Sequence, residues 1–144
     1  MTRRELRNFA AARRQALESD FARQRVGCVI VCGNRLLAAA HNSERTHTAQ
    51  KKYNAFRDLD QSHESVEPKV HAEISALSKS RYADVDWGKA EVYVWRETKD
   101  GKKCGLARPC AGCMAALRER GIRRVYYTGN DSLVYEYLDM EGVC

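Results

Sequence analysis

The sequence predicts an α/β protein: a three-layer α/β/α sandwich around a five-stranded mixed sheet, in one domain over residues 1–144. Three observations carry that prediction. Helical and strand-like periodicities alternate in the order α-β-β-α-β-α-β-β. Short β-branched apolar runs are paired across Gly-Asn and Gly-Asn-Asp turns. The 144 residues are 44% hydrophobic and 31% charged, enough for one sizeable core and unlike a disordered or fibrous chain.

The first helix is marked by Leu6, Phe9, Ala10 and Leu17 at helical spacing, with Thr2 and Glu5 as a capping box. VGCVIVC at 26–32 and LLAAAHN at 36–42, joined through Gly33 and Asn34, form a hairpin. Residues 44–70 are a long polar connection with room for a short helix, and connections of this length usually line or cover a site. HAEISALSKS then reads as a helix and AEVYVWRE at 90–97 as a strand. After the basic loop at 98–108, Pro109 leads into a helix, CAGCMAALRERG, that stops at Gly121. IRRVYYT and LVYEYL close the chain as two strands about Gly129-Asn130-Asp131, a turn short enough to make them antiparallel.

No run approaches the roughly 18 apolar residues of a membrane span, so no membrane association is expected. The first fifteen residues are charged throughout with no apolar stretch behind them, so no secretory leader is expected. The net charge is +6, concentrated in residues 1–25 (seven Lys/Arg against three acids) and 96–124 (nine against three). A basic surface of this kind either solubilises the chain or favours an anionic partner, such as a nucleotide or a nucleic acid. The six cysteines, at 28, 32, 104, 110, 113 and 144, are too few for a disulfide scaffold. With no leader, a reducing cytoplasm is the expected location and the thiols need another role.

Two helix starts supply that role. His71 opens one, with Glu73 two residues on, and Cys110 and Cys113 open the other. Three residues of separation put both sulfurs on one helix face with Met114 and Leu117, and the helix N-terminus favours thiolate. One histidine and two cysteines suit Zn²⁺ and leave a fourth position for water, whose pKa zinc lowers towards ~7. Glu73 is then the candidate proton shuttle. Two blander readings stand beside this one. His71 is a surface residue and the cysteines are core thiols, or the zinc is structural, with Cys104 the nearest fourth ligand.

H-A-E at 71–73 and P-C-A-G-C at 109–113 match the H-x-E…P-C-x-x-C signature, and the chain resembles the cytidine and deoxycytidylate deaminase superfamily over nearly its whole length. The resemblance implies a cytidine-deaminase-like fold, with His71, Cys110 and Cys113 as zinc ligands and Glu73 as the catalytic acid and base. It implies hydrolytic attack at C4 of cytosine or C6 of adenine. Asn42 matches a substrate-binding position, and Ala72 would offer its backbone N–H to the base. The expected substrate is a free cytosine nucleoside or nucleotide. Single-stranded DNA or RNA is the alternative, and a purine base or a non-catalytic zinc-bound interaction module stands further off. A homo-oligomer is expected, as is usual in the family. An antiparallel last strand resembles the branch acting on free cytidine, whereas the deoxycytidylate and tRNA-adenosine branches insert a helix and run parallel. The extended 98–108 loop departs from the family and leaves the substrate's size open.

Further substrate contacts are expected from Arg108, beside Pro109, and from Lys51, Lys52 and Tyr53, which combine charge with an aromatic ring. Lys51–Tyr53 read equally as an exposed loop tip. Cys28 and Cys32 read as core thiols and Cys104 as a free thiol in the basic loop. Cys144 is expected to fray. His41 is either aimed at the site or hydrogen-bonded structurally, and no second zinc is expected at His47 and His63. Tyr126, Tyr127, Tyr135 and Tyr137 are expected in packing or subunit contact.

Overall fold

The structure is a computed structural model, and it describes residues 1–20, 24–43, 49, 50, 52, 71–98 and 104–138. Helix α1 (Arg3–Leu17) carries the Thr2–Glu5 capping box. Strands β1 (Arg25–Cys32) and β2 (Arg35–His41) form the hairpin, and α2 (Ala72–Lys79) follows. Next come β3 (Ala90–Glu97), β4 (Cys104–Gly105), α3 (Ala111–Arg120), β5 (Arg124–Gly129) and β6 (Ser132–Tyr137). Of the long polar connection, Ala49, Gln50 and Lys52 are described and are helical. No described helix is long and apolar enough to cross a membrane.

The sheet runs β2-β1-β3-β5-β6, with β4 also paired to β3. Among the described strands only β3 and β5 are parallel, and the β5–β6 hairpin is antiparallel as expected, with Gly129 opposite Ser132. The sixth strand is an addition to the predicted five. Its two residues, with no β-branched run to announce them, pair Gly105 with Arg96 and Cys104 with Glu97. The described pairing of β5 with β3 ends at Val94, so β4 takes up the edge that β5 gives up.

Period-two alternation sorts the sheet residues into two cores. Cys28, Ile30, Val92, Val94 and Val125 face α2 and α3, while Val29, Val31, Tyr93 and Tyr126 face α1. On the α1 side, Phe9 meets the Tyr93 ring edge-on at 5.2 Å, and Tyr93 stacks on Tyr126 at 4.4 Å. Burial pushes the Tyr93 hydroxyl up to about 12. Two buried carboxylates of β3 fasten the helix: Glu91 takes Arg4, and Glu97 takes Arg13 Nε at 3.1 Å and Trp95 Nε1 at 2.8 Å.

The buried stripe of α1 is Phe9, Ala12 and Ala16, whereas the predicted Leu6 and Leu17 stay 47% and 49% exposed and Ala10 is exposed too. Close approach explains the difference. A Cβ on Gly27 of β1 would lie 2.0 Å from the Ala12 carbonyl oxygen and 2.4 Å from Ala16 N. The helix backbone rests directly on the strand, and only alanines facing a glycine allow that. Gly27→Ala should therefore destabilise the fold by about 3 kcal/mol, a fall in Tm of roughly 10 °C on a thermal melt. A change under 2 °C would contradict the close approach.

Candidate metal centre and active site

Helices α2 and α3 both begin at the sheet end where β1 starts and β3 finishes, and their N-cap residues carry the chemistry. His71 caps α2 with extended backbone (φ −80°, ψ 156°) and spends no side-chain bond on capping. Its N–H instead donates to Oε1 of the buried Gln50 at 2.9 Å. Cys110 caps α3 in the same manner (φ −67°, ψ 169°), and Cys113, one turn in, is fully buried. Gly121, at φ +102°, ends α3 in the left-handed conformation that a side chain disfavours.

The ligand atoms of His71, Cys110 and Cys113 lie within 4.8 Å of one another. His71 Nδ1 is 3.3 Å from Cys113 Sγ and 3.7 Å from Cys110 Sγ. A tetrahedral zinc with bonds of ~2.1 and ~2.3 Å separates its ligands by ~3.6–3.8 Å, so this donor set fits with small adjustments. The two thiols also behave as a ligand pair. The Cys113 thiol donates to Cys110, and with His71 beside it this draws the Cys110 thiol down to about 3, while Cys113 is pushed up. A metal held by both sulfurs displaces the thiol proton that the pair shares.

Glu73, on the first turn of α2, is buried beside this group without belonging to it. Burial pushes its carboxyl above the usual range, and the neighbouring His71 partly offsets that. A buried carboxyl whose affinity for its proton is raised, next to a metal group, is suited to moving a proton.

These groups line a cavity of about 240 Å³ together with Asn42, Ala72, Arg96 and Arg108. Asn42 Oδ1 accepts from Ser19 Oγ at 2.5 Å and from Val26 N–H at 3.0 Å, and Nδ2 donates to the Gln24 carbonyl at 2.7 Å. These bonds fix the amide at the cavity wall and leave one Nδ2 proton. Ala72 is the first residue of α2, where backbone N–H groups lack intrahelical partners. Arg108 reaches the cavity, but its guanidinium makes a two-pronged pair with Glu136 at 3.1 and 3.0 Å, with the Tyr127 hydroxyl donating to the same carboxylate. The charge on Arg108 is therefore largely matched within the protein. Lys52 does not line the cavity; its amine lies 3.5 Å from Glu119 on α3. Lys51 and Tyr53 lie outside the described residues, as do His47, His63 and Cys144.

Sequence reasoning missed Gln50 and Arg96. Nothing around Gln50 announces its bond to His71. For Arg96 a signal existed, because alternation along β3 places it on the same face as Val92 and Val94, the face that leads to the metal group. Cys28 is buried, and its thiol is pushed up by burial and by Glu73. Cys32 is half-buried at the end of β1. The Cys104 thiol sits 3.6 Å from the carbonyls of Gly129 and Ser132, so no fourth cysteine joins the metal group among the described residues. His41 Nδ1 is 3.0 Å from the Asn42 carbonyl oxygen, consistent with the structural alternative. Tyr126 and Tyr127 are buried, and Tyr135 and Tyr137 are exposed on β6.

Residues 3–129 match the family model described as the cytidine and deoxycytidylate deaminase zinc-binding region. Among solved structures, the chain is similar to a dCMP deaminase from the cyanophage S-TIM5, with 20% identity over 90% of this chain and 86% of that one and a TM-score of 0.60. It is similar to a cytidine deaminase from Burkholderia pseudomallei, with 18% identity over 95% and 93% and a TM-score of 0.61. A structure from work on A-to-I editing by tRNA:A34 deaminases aligns at 20% identity over 86% and 75%, with a TM-score of 0.50. No curated protein sequence matches the chain. With the family's zinc-binding region matched over most of its length and a His-Cys-Cys group positioned for the metal, the chain belongs to the cytidine and deoxycytidylate deaminase family of zinc-dependent hydrolytic deaminases.

Proposed function

We propose that this protein deaminates the cytosine base of a free nucleoside or nucleotide, releasing ammonia and the uracil form. The observation that carries this reading is the buried Glu73 carboxyl on the wall of the cavity that also holds the His71–Cys110–Cys113 group. Zinc held by those three residues would supply Lewis acidity, bringing a coordinated water's pKa down to ~7. The Glu73 carboxyl gives its proton to the ring nitrogen adjacent to C4, which makes that carbon electron-poor. As water adds to C4, the carboxylate takes up its proton and passes it to the exocyclic amine. The C4–N bond then breaks, ammonia leaves, and the C4 hydroxyl returns its proton to Glu73 as the carbonyl of the uracil form appears. The Ala72 N–H orients the base, and the remaining Nδ2 proton of Asn42 goes to a sugar hydroxyl.

Two features support a small substrate. A cavity of about 240 Å³ is below the ~300–1,000 Å³ of drug-sized sites and suits one nucleoside better than a strand. The antiparallel β6 matches the form that resembles the free-cytidine branch. A single-stranded nucleic acid is the second reading, favoured by the +6 charge and the basic 96–124 segment.

Mass-spectrometric detection of deaminated product separates the two. The panel holds cytidine, deoxycytidine, their monophosphates, adenosine, guanine and short single-stranded DNA and RNA, with Glu73→Ala as blank. Turnover of monomers is expected. Turnover of oligonucleotides alone would replace this reading with the second.

A further inference from the structure

We propose that Arg96 reads the phosphate of a nucleotide monophosphate, making a phosphorylated cytosine nucleotide the preferred substrate; this rests on the cytosine-deaminase reading above. Arg96 lines the cavity, as do Gln24 and Leu106. Two nearby arginines have carboxylate partners: Arg108 holds Glu136, and Arg13 holds Glu97 across the sheet. Arg96 has no carboxylate within ion-pair distance among the described residues. Its guanidinium makes one long bond, from Nη1 to the Leu106 carbonyl at 3.4 Å. An arginine facing a cavity with most of its five N–H donors unspent is suited to an anion brought by a ligand.

The surroundings hold this side chain in place. The Arg96 backbone N–H donates to Thr128 Oγ1 at 3.2 Å, which fixes the strand from which the side chain leaves, and the buried Thr128 hydroxyl donates to the Gly105 carbonyl at 2.6 Å. A Cβ on Gly105 would come 3.1 Å from Arg96 Cδ. Glycine at 105 thus leaves a lane in which the arginine stem lies, and the two-residue strand β4 carries that lane. A guanidinium held in this way loses less freedom on engaging a phosphate.

Position completes the argument. Val26 pairs with Arg96 on one side, and on the other it exchanges bonds with Asn42, whose N–H donates to the Val26 carbonyl at 3.0 Å. Asn42, Val26 and Arg96 therefore stand in a row across three strands, with the outer two backbones about 10 Å apart. In this proposal the sugar hydroxyl meets Asn42, and the phosphate on that sugar meets Arg96 at the other end of the row. A phosphomonoester carries up to two negative charges and accepts both prongs of a guanidinium, a better match than a phosphodiester within a strand.

The test compares wild type, Arg96→Gln and Arg96→Lys on cytidine, CMP, deoxycytidine, dCMP and short single-stranded oligonucleotides. Calorimetric binding of UMP against uridine to the zinc-loaded proteins gives a readout independent of turnover. The ratio of kcat/KM for monophosphate over nucleoside should fall roughly 10- to 100-fold in Arg96→Gln, the range expected for losing charge-assisted hydrogen bonds. The affinity ratio of UMP to uridine should fall in parallel, and Arg96→Lys should recover part of both. Equal losses on nucleoside and nucleotide would make Arg96 structural and overturn the proposal. A selective loss on oligonucleotides alone would move the contact to a phosphodiester and also overturn it. Monomer turnover with unchanged ratios sinks this proposal while sparing the deaminase reading. Absence of any cytosine turnover sinks that reading, and the UMP and uridine affinities still decide whether Arg96 holds phosphate.

Discussion

Glu73→Gln is expected to lose about three orders of magnitude in kcat while keeping its zinc. The carboxyl lies outside the three-atom metal group, so the amide leaves every ligand in place. Glutamine is nearly isosteric, so the buried site keeps its packing. What disappears is the ability to give a proton to the ring nitrogen and then take one from water. Positioned proton transfer is worth ~10²–10⁴-fold, and a thousandfold loss corresponds to about 4 kcal/mol of transition-state stabilisation. Solvent is a poor substitute at this position, because Glu73 is buried. The measurement is single-turnover kinetics on a cytosine monomer, paired with zinc analysis of the same preparation. A rate within tenfold of wild type, with zinc retained, would remove Glu73 from the chemistry.

The same contrast between residue type and surroundings explains what was readable beforehand. His71, Cys110 and Cys113 could be identified because their chemistry demands particular atoms at two helix starts, and local spacing specifies that. The strands were readable because β-branched alternation and turn residues are also local. Properties created by approach across the fold were not. Leu6 and Leu17 outrank Ala12 and Ala16 in hydrophobicity, yet the alanines are buried because Gly27, on another element, lets the helix backbone touch the strand. Arg108 lines the cavity, but its pairing with Glu136, 28 residues away on β6, is not legible from the local sequence. Gln50 holds the His71 N–H from a segment with no motif, and β4 exists because β3 continues past its described pairing with β5. Each of these depends on a second element that a linear reading does not bring near.

Cys113→Ala tests the metal centre at its least replaceable ligand. Cys113 is fully buried, and its sulfur lies 3.3 Å from His71 Nδ1. Losing it leaves one nitrogen and one sulfur, too few protein ligands for the three that a catalytic zinc site uses. No other described cysteine can step in, since Cys104 is held against Gly129 and Ser132, and Cys28 belongs to the core around Ile30 and Val92. Zinc content should fall from one per chain to near zero and deamination should fall below detection. Stability should drop as well, because a ligand bound only by the folded state contributes about 4 kcal/mol when present at a thousandfold excess over its Kd. Chelator treatment of wild type should reproduce these losses, and added zinc should reverse them in wild type but not in the variant. Glu73→Gln, by contrast, keeps both zinc and Tm and loses only turnover, so the pair separates holding the metal from moving the proton. Full zinc occupancy in Cys113→Ala would show that the metal is held by other residues and would dismantle the assigned ligand set.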